Sequence, residues 1–525
     1  MSRNTEAPRY LSRYHLLKTL TRDSMFIAGL LLLSLLTLMA VAGYAWVPED
    51  AKTSWYYNVR WTLNPKLVPP CWVNYLTQES RTPTINLTYT EASEYWRVKA
   101  EEMWQIRRWE LVSMGITNES VLSKLRNEVY ERTRQELEGR GLSYSFDYHY
   151  SWVIPPQDVA LVIKSHNRDR VANITAIIAR PDGIQVRFVL ANSVELYRNE
   201  EKVLKVSFSK DFAEKLVRVY LAAKVDPETL KVLSDYISYG LRSPVEIFFY
   251  GELGTGGKVV LANPTEGKYV VRIDAVFSET VNAEDIDVKL RILGSCYGVL
   301  GTDDVGRDNF WTLLAGSGVA LLIGLPYAVL SRLTGLVYGA VSGFYGGTLV
   351  DIVMQRVCEI VYSMPFLPFI VMISYVLRET TGAQVGIAQI IGLLLVFGWP
   401  GVAIISRSMA LSIREELYVE SAIAIGATKS RIILKYIVPQ LMPYFFASVM
   451  LATPGAILTE VFLSVLGLTD PNLPSWGKMI SGAQLTVHAW WWIIPPGIAI
   501  TLTGLAFMFL GYSIENATNP RRRRL

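Results

Sequence analysis

The chain has 525 residues, of which 51% are hydrophobic and 19% are charged, and its formal net charge is +4. Its mean hydropathy is positive, at +0.25. Together these values exclude a uniformly globular protein, because the charged and the apolar residues must be concentrated in different parts of the chain. The three cysteines are too few for a disulfide scaffold, and no pair of them has the spacing of metal ligands.

The first predicted element is a membrane-spanning helix over residues 24–48. This stretch carries no charge and is long enough to cross about 30 Å of hydrocarbon. It lacks a small-residue cleavage site, so we interpret it as a retained anchor. The basic residues that precede it are Arg3, Arg9, Arg13, Lys18 and Arg22. The positive-inside rule therefore places residues 1–23 in the cytoplasm and the following segment outside.

The next segment, residues 49–298, has the composition of a water-soluble protein. Its pattern predicts a helical stretch over about 91–139, strands over 171–179 and 185–196, and a helix over about 211–223. We therefore expect an α+β domain on the outer side of the membrane.

Long uncharged runs return after Asn309. Taken one by one, and with the anchor included, they would give an odd number of spans and would export the basic residues between 407 and 435. Treating 319–345 as one helix, kinked near Pro326 and holding Arg332 inside the membrane, gives six spans and keeps both termini in the cytoplasm. We therefore predict a polytopic α-helical membrane protein whose helices 2–6 lie within residues 299–525.

Two ionisable residues, Arg332 and Glu460, fall within predicted spans. Charges inside a membrane are costly and are usually paired or functional, so these two could face a water-filled path or each other. Alternatively, Glu460 lies solvated at the outer boundary and Arg332 extends to the membrane surface. The sequence leaves both interpretations open.

Residues 415–439, between the fourth and fifth spans, are too few to cross the membrane and too apolar for a simple linker. The segment favours two short amphipathic helices, and Gly426 can adopt the positive φ that a sharp break between them requires. The first helix would carry Glu420, Ala422 and Ala424, and the second Ile432, Ile433 and Tyr436. Such an element either docks into a groove on a partner or lies on the lipid surface.

This segment resembles the EAA loop of ABC importer permeases, in which Glu-Ala-Ala, a Gly and a final Pro recur at fixed spacing. The sequence keeps that spacing, although Ser421 and Tyr436 depart from the commonest residues. In that family the loop sits in a cleft of the ATPase subunit, which implies that Glu420 contacts it. The residues implied in coupling are Glu420, Ser421, Ala422, Gly426, Ile432 and Pro439.

A second motif narrows the resemblance to the dipeptide/oligopeptide permeases, and within them to the C-type subunit. Their G-T-D-x-x-G-R-D signature precedes the second span, and further family motifs follow in order to the end of the chain. The matching signature residues are Gly301, Thr302, Asp303, Gly306, Arg307 and Asp308. Gly318 and Asn519 depart from the residues usual in the family.

The resemblance also implies that residues 49–298 are an insert between helices 1 and 2, because the family usually has only a short linker there. Cys71 and Cys296 then stand at the two ends of the insert. On the oxidising outer side of the membrane we predict a disulfide between them. The alternative is two independent buried thiols.

The function that the resemblance implies is that of a pore-forming subunit of an ABC importer, moving peptides or oligosaccharides across the cytoplasmic membrane. The implied partners are a second, B-type permease subunit, two ABC ATPase subunits, an extracellular solute-binding protein and the lipid bilayer, with no nucleic acid. ATP and Mg would belong to the ATPase subunits, so no catalytic residue, cofactor or metal is expected in this chain.

The alternative function is a membrane receptor or sensor with a ligand-binding ectodomain. A receptor needs a cytoplasmic signalling module. The chain offers only a short tail, one loop and the basic cluster at 521–524 on that side.

Overall fold

The structure is a computed structural model, and it describes residues 20–48, 55, 59–77, 79–381 and 386–518. The basic residues up to Lys18, Asn519 and the cluster at 521–524 lie outside the described residues. The chain divides into two compact units, Met1–Asn58 with Asn309–Leu525, and Val59–Asp308. We call them the membrane unit and the inserted domain.

The inserted domain begins and ends later than the predicted range of 49–298. Its last residues include the signature at 301–308, whose backbone is hydrogen-bonded to the first residues of the same unit. The Nδ2 of Asn64, for example, donates to the carbonyl oxygen of Gly306 at 2.9 Å. The signature therefore belongs structurally to the domain.

The first helix of the membrane unit, α1 (Ser24–Trp46), begins where the sequence predicted a span. Asp23 caps it, because its side chain accepts a hydrogen bond from the backbone N–H of Met25 at 3.0 Å. The helix has 23 residues, which is enough to cross the hydrocarbon of a membrane.

The inserted domain is rich in β-sheet. Its helices are α2 (Tyr95–Ser113), α3 (Glu119–Leu137), α4 (Lys210–Lys215), α5 (Ala222–Lys224), α6 (Pro227–Ser238) and α7 (Pro244–Phe249). Its strands are β1 (Ile85–Leu87), β2 (Glu91–Glu94), β3 (Gly141–Tyr150), β4 (Asp158–Ser165), β5 (Arg170–Ala179), β6 (Gln185–Leu196), β7 (Glu201–Lys205), β8 (Tyr250–Thr255), β9 (Lys258–Pro264), β10 (Gly267–Phe277) and β11 (Ile286–Leu293).

Two antiparallel sheets of the domain share one hydrophobic core. One sheet has the strand order β2-β3-β10-β5-β6 and the other β1-β11-β4-β7, while β8 and β9 form a separate hairpin. Alternate residues of β5 are buried, which confirms the strand predicted over 171–179. The core is filled by large side chains, among them Tyr144, Phe146, Phe188, Phe212 and Phe248.

The helical stretch predicted over 91–139 is a strand followed by two helices. β2 takes the first residues of the stretch, and α2 and α3 follow as a helical hairpin. The chain turns at Gly115, whose φ is +84°. Glycine adopts this conformation at little cost, which explains why the hairpin breaks there.

The remaining helices of the membrane unit follow the signature. They are α8 (Asn309–Phe344), α9 (Leu349–Ser363), α10 (Phe366–Thr381), α11 (Ile387–Gly398), α12 (Pro400–Arg414), α13 (Leu417–Ala424), α14 (Lys429–Ile432), α15 (Val438–Val465), α16 (Trp476–Ala483) and α17 (Trp490–Thr518). Among the described residues, four helical stretches are long and apolar enough to cross a membrane, or up to six if each of two bent pairs is one span.

Both bent pairs break next to a proline. α9 and α10 meet at 79°, and Pro365 lies in the gap between them; α11 and α12 meet at 43°, and Pro400 is the first residue of α12. Proline cannot donate the backbone hydrogen bond that a continuous helix needs. Each break is therefore set by the local sequence.

The longest helix, α8, is continuous over 36 residues and contains Pro326 and Arg332. It includes nearly all of the single helix predicted over 319–345 but starts ten residues earlier. Its length is about 54 Å, which exceeds the hydrocarbon thickness.

α8 packs against α12 through a row of glycines at 335, 339 and 343. A Cβ on Gly339 would lie 2.4 Å from the carbonyl oxygen of Ala403, and one on Gly343 would lie 2.6 Å from the Cβ of Ala410. Small residues at every fourth position let two helix backbones approach closely in a membrane. The Gly-x₃-Gly-x₃-Gly spacing is the sequence signal for this contact.

Candidate coupling surface and transport cavity

The helix α13 ends in the sharp break predicted at Gly426. The φ of Gly426 is +81°. The N–H of Gly426 donates to the carbonyl oxygen of Ile423 at 3.0 Å, and the N–H of Ala427 donates to the carbonyl oxygen of Ala422 at 3.1 Å. These two hydrogen bonds define a Schellman motif, in which glycine is the favoured residue.

The second predicted short helix is not a separate element. α14 passes through a single π-helical turn, Ile433–Ile437, directly into α15. Pro439 follows this turn as the second residue of α15. Residues Lys429–Val465 therefore form one helical stretch of 37 residues, and any force applied at α14 acts on a membrane helix without an intervening loop.

One side of this element is buried in the membrane unit. Val419 and Ala422 of α13 are buried, and so are Ile432, Ile433 and Ile437 on the stretch that follows. All but Ala422 belong to the hydrophobic core of the unit. The buried side fixes α13 to the helix that leads into the membrane.

The other side of α13 is exposed and combines apolar residues with one carboxylate. Leu417 is 78% exposed and Ile425 is 83% exposed, and Glu420 and Ser421 are exposed between them. Among the residues that the structure describes, none is paired with the Glu420 carboxylate. We call these four residues the coupling surface. Exposed large apolar side chains beside a free charge are typical of a surface that a partner covers.

Two contacts tie α13 and α14 to neighbouring parts of the membrane unit. The Nε2 of Gln440 on α15 donates a short hydrogen bond to the hydroxyl of Tyr418 on α13. The ammonium of Lys429 lies 5.2 Å from the centre of the Tyr345 ring, just after α8, which is within the range of a cation–π interaction. The element is thus tied to both α15 and the end of α8.

An ion pair between α9 and α12 lies in the same unit. The Nε and Nη2 of Arg407 donate to the two oxygens of Asp351 at 2.7 and 2.6 Å. Asp351 also accepts from the Ser342 hydroxyl at 2.6 Å and from the N–H of Gly347 at 3.1 Å. Bidentate pairs of this kind fix geometry as well as charge. Sequence reasoning missed the pair because its partners are 56 residues apart.

A cavity of about 1020 Å³ opens in the membrane unit and is lined by α8, α12, α15 and α17. Arg332, Gln440, Tyr444 and Ser448 supply polar groups to its wall, together with Glu515. The Nη1 of Arg332 donates to the carbonyl oxygen of Gly398 at 2.7 Å. Arg332 therefore lies at a large, open cavity that helices of the membrane unit form.

Glu460 has a different environment from Arg332. It is only 4% exposed and accepts a hydrogen bond from the Ser464 hydroxyl at 2.7 Å, which in turn contacts the Thr469 hydroxyl at 2.8 Å. The two charges are not paired with each other, and Glu460 is buried instead of solvated. Of the two residues, only Arg332 lines the cavity.

The signature residues form a turn stabilised by its own side chains. The carboxylate of Asp303, which is buried, accepts from the N–H of Arg307 at 2.8 Å and forms an ion pair with its guanidinium. Gly306 has a φ of +93°, and a Cβ there would lie 2.6 Å from the carbonyl oxygen of Trp61. Gly301, Thr302 and Asp308 lie in the same turn, where Thr302 and Asp308 form a β-bridge.

The two ends of the inserted domain are paired along this turn. The backbone N–H of Leu67 donates to the carbonyl oxygen of Asp303 at 2.7 Å. In the other direction, the N–H of Thr302 donates to the carbonyl oxygen of Val68 at 2.9 Å, and the N–H of Tyr297 donates to the carbonyl oxygen of Pro69 at 3.0 Å. Cys71 and Cys296 are joined in a disulfide bond, with their Cα atoms 4.9 Å apart.

Metal ligands do not cluster in the described ranges of the chain: no group of three or more His, Cys, Asp or Glu side chains there could hold an ion. The site is therefore a pair of surfaces. One is the exposed face of a short helix, and the other is the wall of an open cavity between helices of the membrane unit.

Long apolar helices and a glycine-packed helix contact define a polytopic membrane protein. The family of binding-protein-dependent transport system inner membrane components matches residues 335–524. The oligopeptide transport system permease protein OppC of Bacillus subtilis (strain 168) is 36% identical over 227 residues, which cover 43% of this chain and 72% of that protein. The chain belongs to this family of inner membrane components.

Two further relatives are also named as permease proteins of peptide transport systems. The dipeptide transport system permease protein DppC of Bacillus subtilis (strain 168) is 35% identical over 43% of this chain and 69% of that protein. OppC of Haemophilus influenzae is 35% identical over 43% of this chain and 71% of that protein. A solved structure described as inward facing conformations of the MetNI methionine ABC transporter aligns over 40% of this chain and 97% of its own, at 17% identity and a TM-score of 0.34.

Proposed function

We propose that this chain is one of two pore-forming subunits of an ATP-driven importer that moves peptides across the cytoplasmic membrane. The family membership supports the transport role, and the names of the relatives support peptides as the cargo. The observation that carries the proposal is the coupling surface, where exposed apolar side chains flank the Glu420 carboxylate, which has no partner in the part of the chain that the structure describes.

We infer the partners from the coupling surface and from the cavity in the membrane unit. An ATPase subunit covers the coupling surface, because its exposed apolar residues otherwise remain in water. A second permease subunit completes the wall of the cavity, and an extracellular solute-binding protein delivers the peptide. Two ATPase subunits bind ATP and Mg, so this chain performs no catalysis of its own.

The topology that suits this role has six spans with both termini in the cytoplasm. The basic residues from 407 to 435 then lie on the cytoplasmic side with α13, as the positive-inside rule requires. Each bent helix pair counts as one span, and the inserted domain lies outside, between the first and second spans.

In the proposed mechanism, closure of the ATPases on ATP moves α13, and the movement passes into the membrane. The buried residues Val419 and Ile432 lie on α13 and α14 and are packed in the membrane unit. α14 runs into α15 without a break, and α15 lines the cavity through Tyr444 and Ser448. Arg332 faces the same cavity and is the residue we expect to contact a passing peptide carboxylate.

The experiment is affinity purification of the tagged chain from native membranes, followed by assay of ATPase activity. We expect a P-loop ATPase to copurify with the native chain. Glu420→Lys reverses the exposed charge and should reduce copurification about tenfold or more, because one interfacial charge contact contributes more than 1.4 kcal/mol when its partner is charged. Recovery of the native chain without any ATPase would overturn the proposal.

The matched control is Glu415→Lys, which makes the same charge change on the same loop but outside the coupling surface. It should leave copurification within about twofold, since isolated surface charges contribute little. Equal losses for the two variants would mean that the effect is a general one of loop charge, and would remove Glu420 from the proposed contact.

A further inference from the structure

The inserted domain contains a cavity of about 540 Å³ that is formed by its own residues. Asp158 at the start of β4 and Lys205 at the end of β7 line it, and the two strands are paired so that Lys205 faces Ala160 across the ladder. Phe208 and Leu241 also line the cavity. The lining combines charged and polar side chains with apolar ones, and small-molecule sites likewise place polar groups beside an apolar surface.

Lys205 is the unusual residue in this cavity. It is 8% exposed, yet its ammonium, which carries three hydrogen-bond donors, has no acceptor among the residues that the structure describes. The ammonium lies 5.9 Å from the centre of the Phe208 ring. Burying most of a charged side chain is costly, and the ammonium borders the cavity, so an acceptor on a bound ligand would offset that cost.

Asp158 reduces that cost without supplying the acceptor. Its Oδ1 accepts from the N–H groups of Val159 and Ser207 at 2.8 and 3.0 Å, and its Oδ2 accepts from the Ser207 hydroxyl. Its hydrogen bonds are therefore made to the next residue of its own strand and to the turn that follows β7. Burial lowers the pKa of Lys205, and the charge of Asp158 opposes that shift.

The other groups set the charge and polarity of the ligand. Arg242 and Glu246 line the cavity as an ion pair with each other, and Lys66 is exposed at its edge. The lining therefore has three basic and two acidic side chains, which suits a ligand with a single negative charge. Phe208 is 75% exposed and Leu241 is 65% exposed, so they offer an apolar surface beside the ammonium.

We propose that this cavity binds a small monocarboxylate that carries an apolar side group. The carboxylate accepts hydrogen bonds from the ammonium of Lys205, and the apolar group packs against Phe208 and Leu241. Charge-assisted hydrogen bonds of this kind are stronger than neutral ones. The inference concerns the inserted domain alone and does not depend on the transport function.

The test compares two probes that differ only in the charge, N-acetyl-leucine and N-acetyl-leucinamide. Their binding to the full chain in lipid nanodiscs is measured by saturation-transfer NMR. We expect the acid to bind about tenfold more tightly than the amide, because a hydrogen bond to a charged group contributes at least that factor. Equal affinities for the two probes would overturn the proposal.

Three variants locate the site. Lys205→Met removes the charge but keeps the length, and it should abolish the preference for the acid, whereas Lys202→Met, an exposed lysine on the same strand, should keep it. Arg332→Met should also keep it, because Arg332 belongs to the other cavity. A preference that survives Lys205→Met, or that disappears with Arg332→Met instead, would contradict the assignment.

A fourth variant keeps the test informative even if Lys205→Met does not fold. Phe208→Ala removes an exposed side chain, so the fold should be unaffected, and both probes should lose affinity severalfold because the apolar contact is lost. Unchanged affinity for both probes in this variant would also overturn the proposal.

Discussion

The membrane unit and the inserted domain are held together in opposite ways. In the inserted domain, large aromatic side chains such as Phe188 and Phe248 fill the space between two sheets. In the membrane unit, a close helix contact is made where side chains are absent, at Gly335, Gly339 and Gly343. Lipid is as apolar as a protein core, so burial does not drive helices together there, and close backbone approach takes its place.

The contrast predicts which kind of substitution each region resists. Loss of volume should destabilise the domain most, since each buried aromatic group contributes through its removal from water. Gain of volume should destabilise the membrane unit most, since there is no room between α8 and α12. The following predictions test this difference, beginning with the largest expected effect.

The largest effect is expected for Phe248→Ala in the domain. Phe248 is fully buried against Phe212, Tyr220 and Phe249, and phenylalanine-to-alanine changes in cores cost about 3–5 kcal/mol. The free energy of unfolding, measured by denaturant titration of the domain fluorescence, should fall by that amount. Phe208→Ala is the matched control, because Phe208 is 75% exposed, and a comparable loss there would contradict the aromatic-core description.

The next effect is expected from the disulfide. Cys71→Ser with Cys296→Ser opens a covalent loop that spans 225 residues, and loss of a native disulfide typically costs about 2–5 kcal/mol. Thermal unfolding of the double variant should therefore begin at a lower temperature than that of the native chain. Cys358→Ser is the control, since Cys358 is not part of the bond. Free thiols at both positions in the purified native chain would rule out the bond.

A smaller but specific effect is expected for Gly339→Val in the membrane unit. The new Cβ would meet the carbonyl oxygen of Ala403 at 2.4 Å and the Cβ of Ser406 at 2.7 Å, and overpacking of this kind costs about 1–3 kcal/mol. Gly318→Val lies on the same helix, where a Cβ meets nothing within 4 Å. In size-exclusion profiles recorded in detergent after graded heating, Gly339→Val should lose its native peak at a lower temperature than Gly318→Val. Loss of the peak at the same temperature in both variants would refute the glycine contact.

The smallest effect on stability is expected for Ile425→Ser on the coupling surface. Ile425 is 83% exposed, so the substitution should change the free energy of unfolding by less than about 0.5 kcal/mol. ATPase copurification should nevertheless fall severalfold, because the same side chain is buried in the proposed complex. A variant that unfolds early would show that Ile425 supports the fold of this chain instead of a partner contact.

The sequence predicted much of the membrane unit because its signals are local. The charge-free stretch at 24–48 and the positive φ available to Gly426 each depend on a few neighbouring residues. The continuity of α14 with α15 was not predicted, because it depends on the burial of Ile433 and Ile437 against other helices. The Asp351–Arg407 pair was missed for the same reason, since only the bundle brings the two residues together.

In the inserted domain the sequence predicted elements but not their arrangement. The alternation in β5 and β6 is a local signal. The position of β10 between β3 and β5 depends on pairings across more than a hundred residues, such as Asp274 with Ser143. The cavity at Lys205 could not be predicted either, because nothing near that lysine in the sequence shows that it is buried.

The pairing of residues 67–71 with 296–303 gives the inserted domain a narrow neck. The chain enters and leaves the domain at adjacent points, since the Cα atoms of Cys71 and Cys296 are 4.9 Å apart. A short loop between these two points could therefore replace the residues between Cys71 and Cys296 and leave the paired segments of the neck in place. The inserted domain is thus joined to the rest of the chain at a single place, which makes it suited to removal or replacement as a unit.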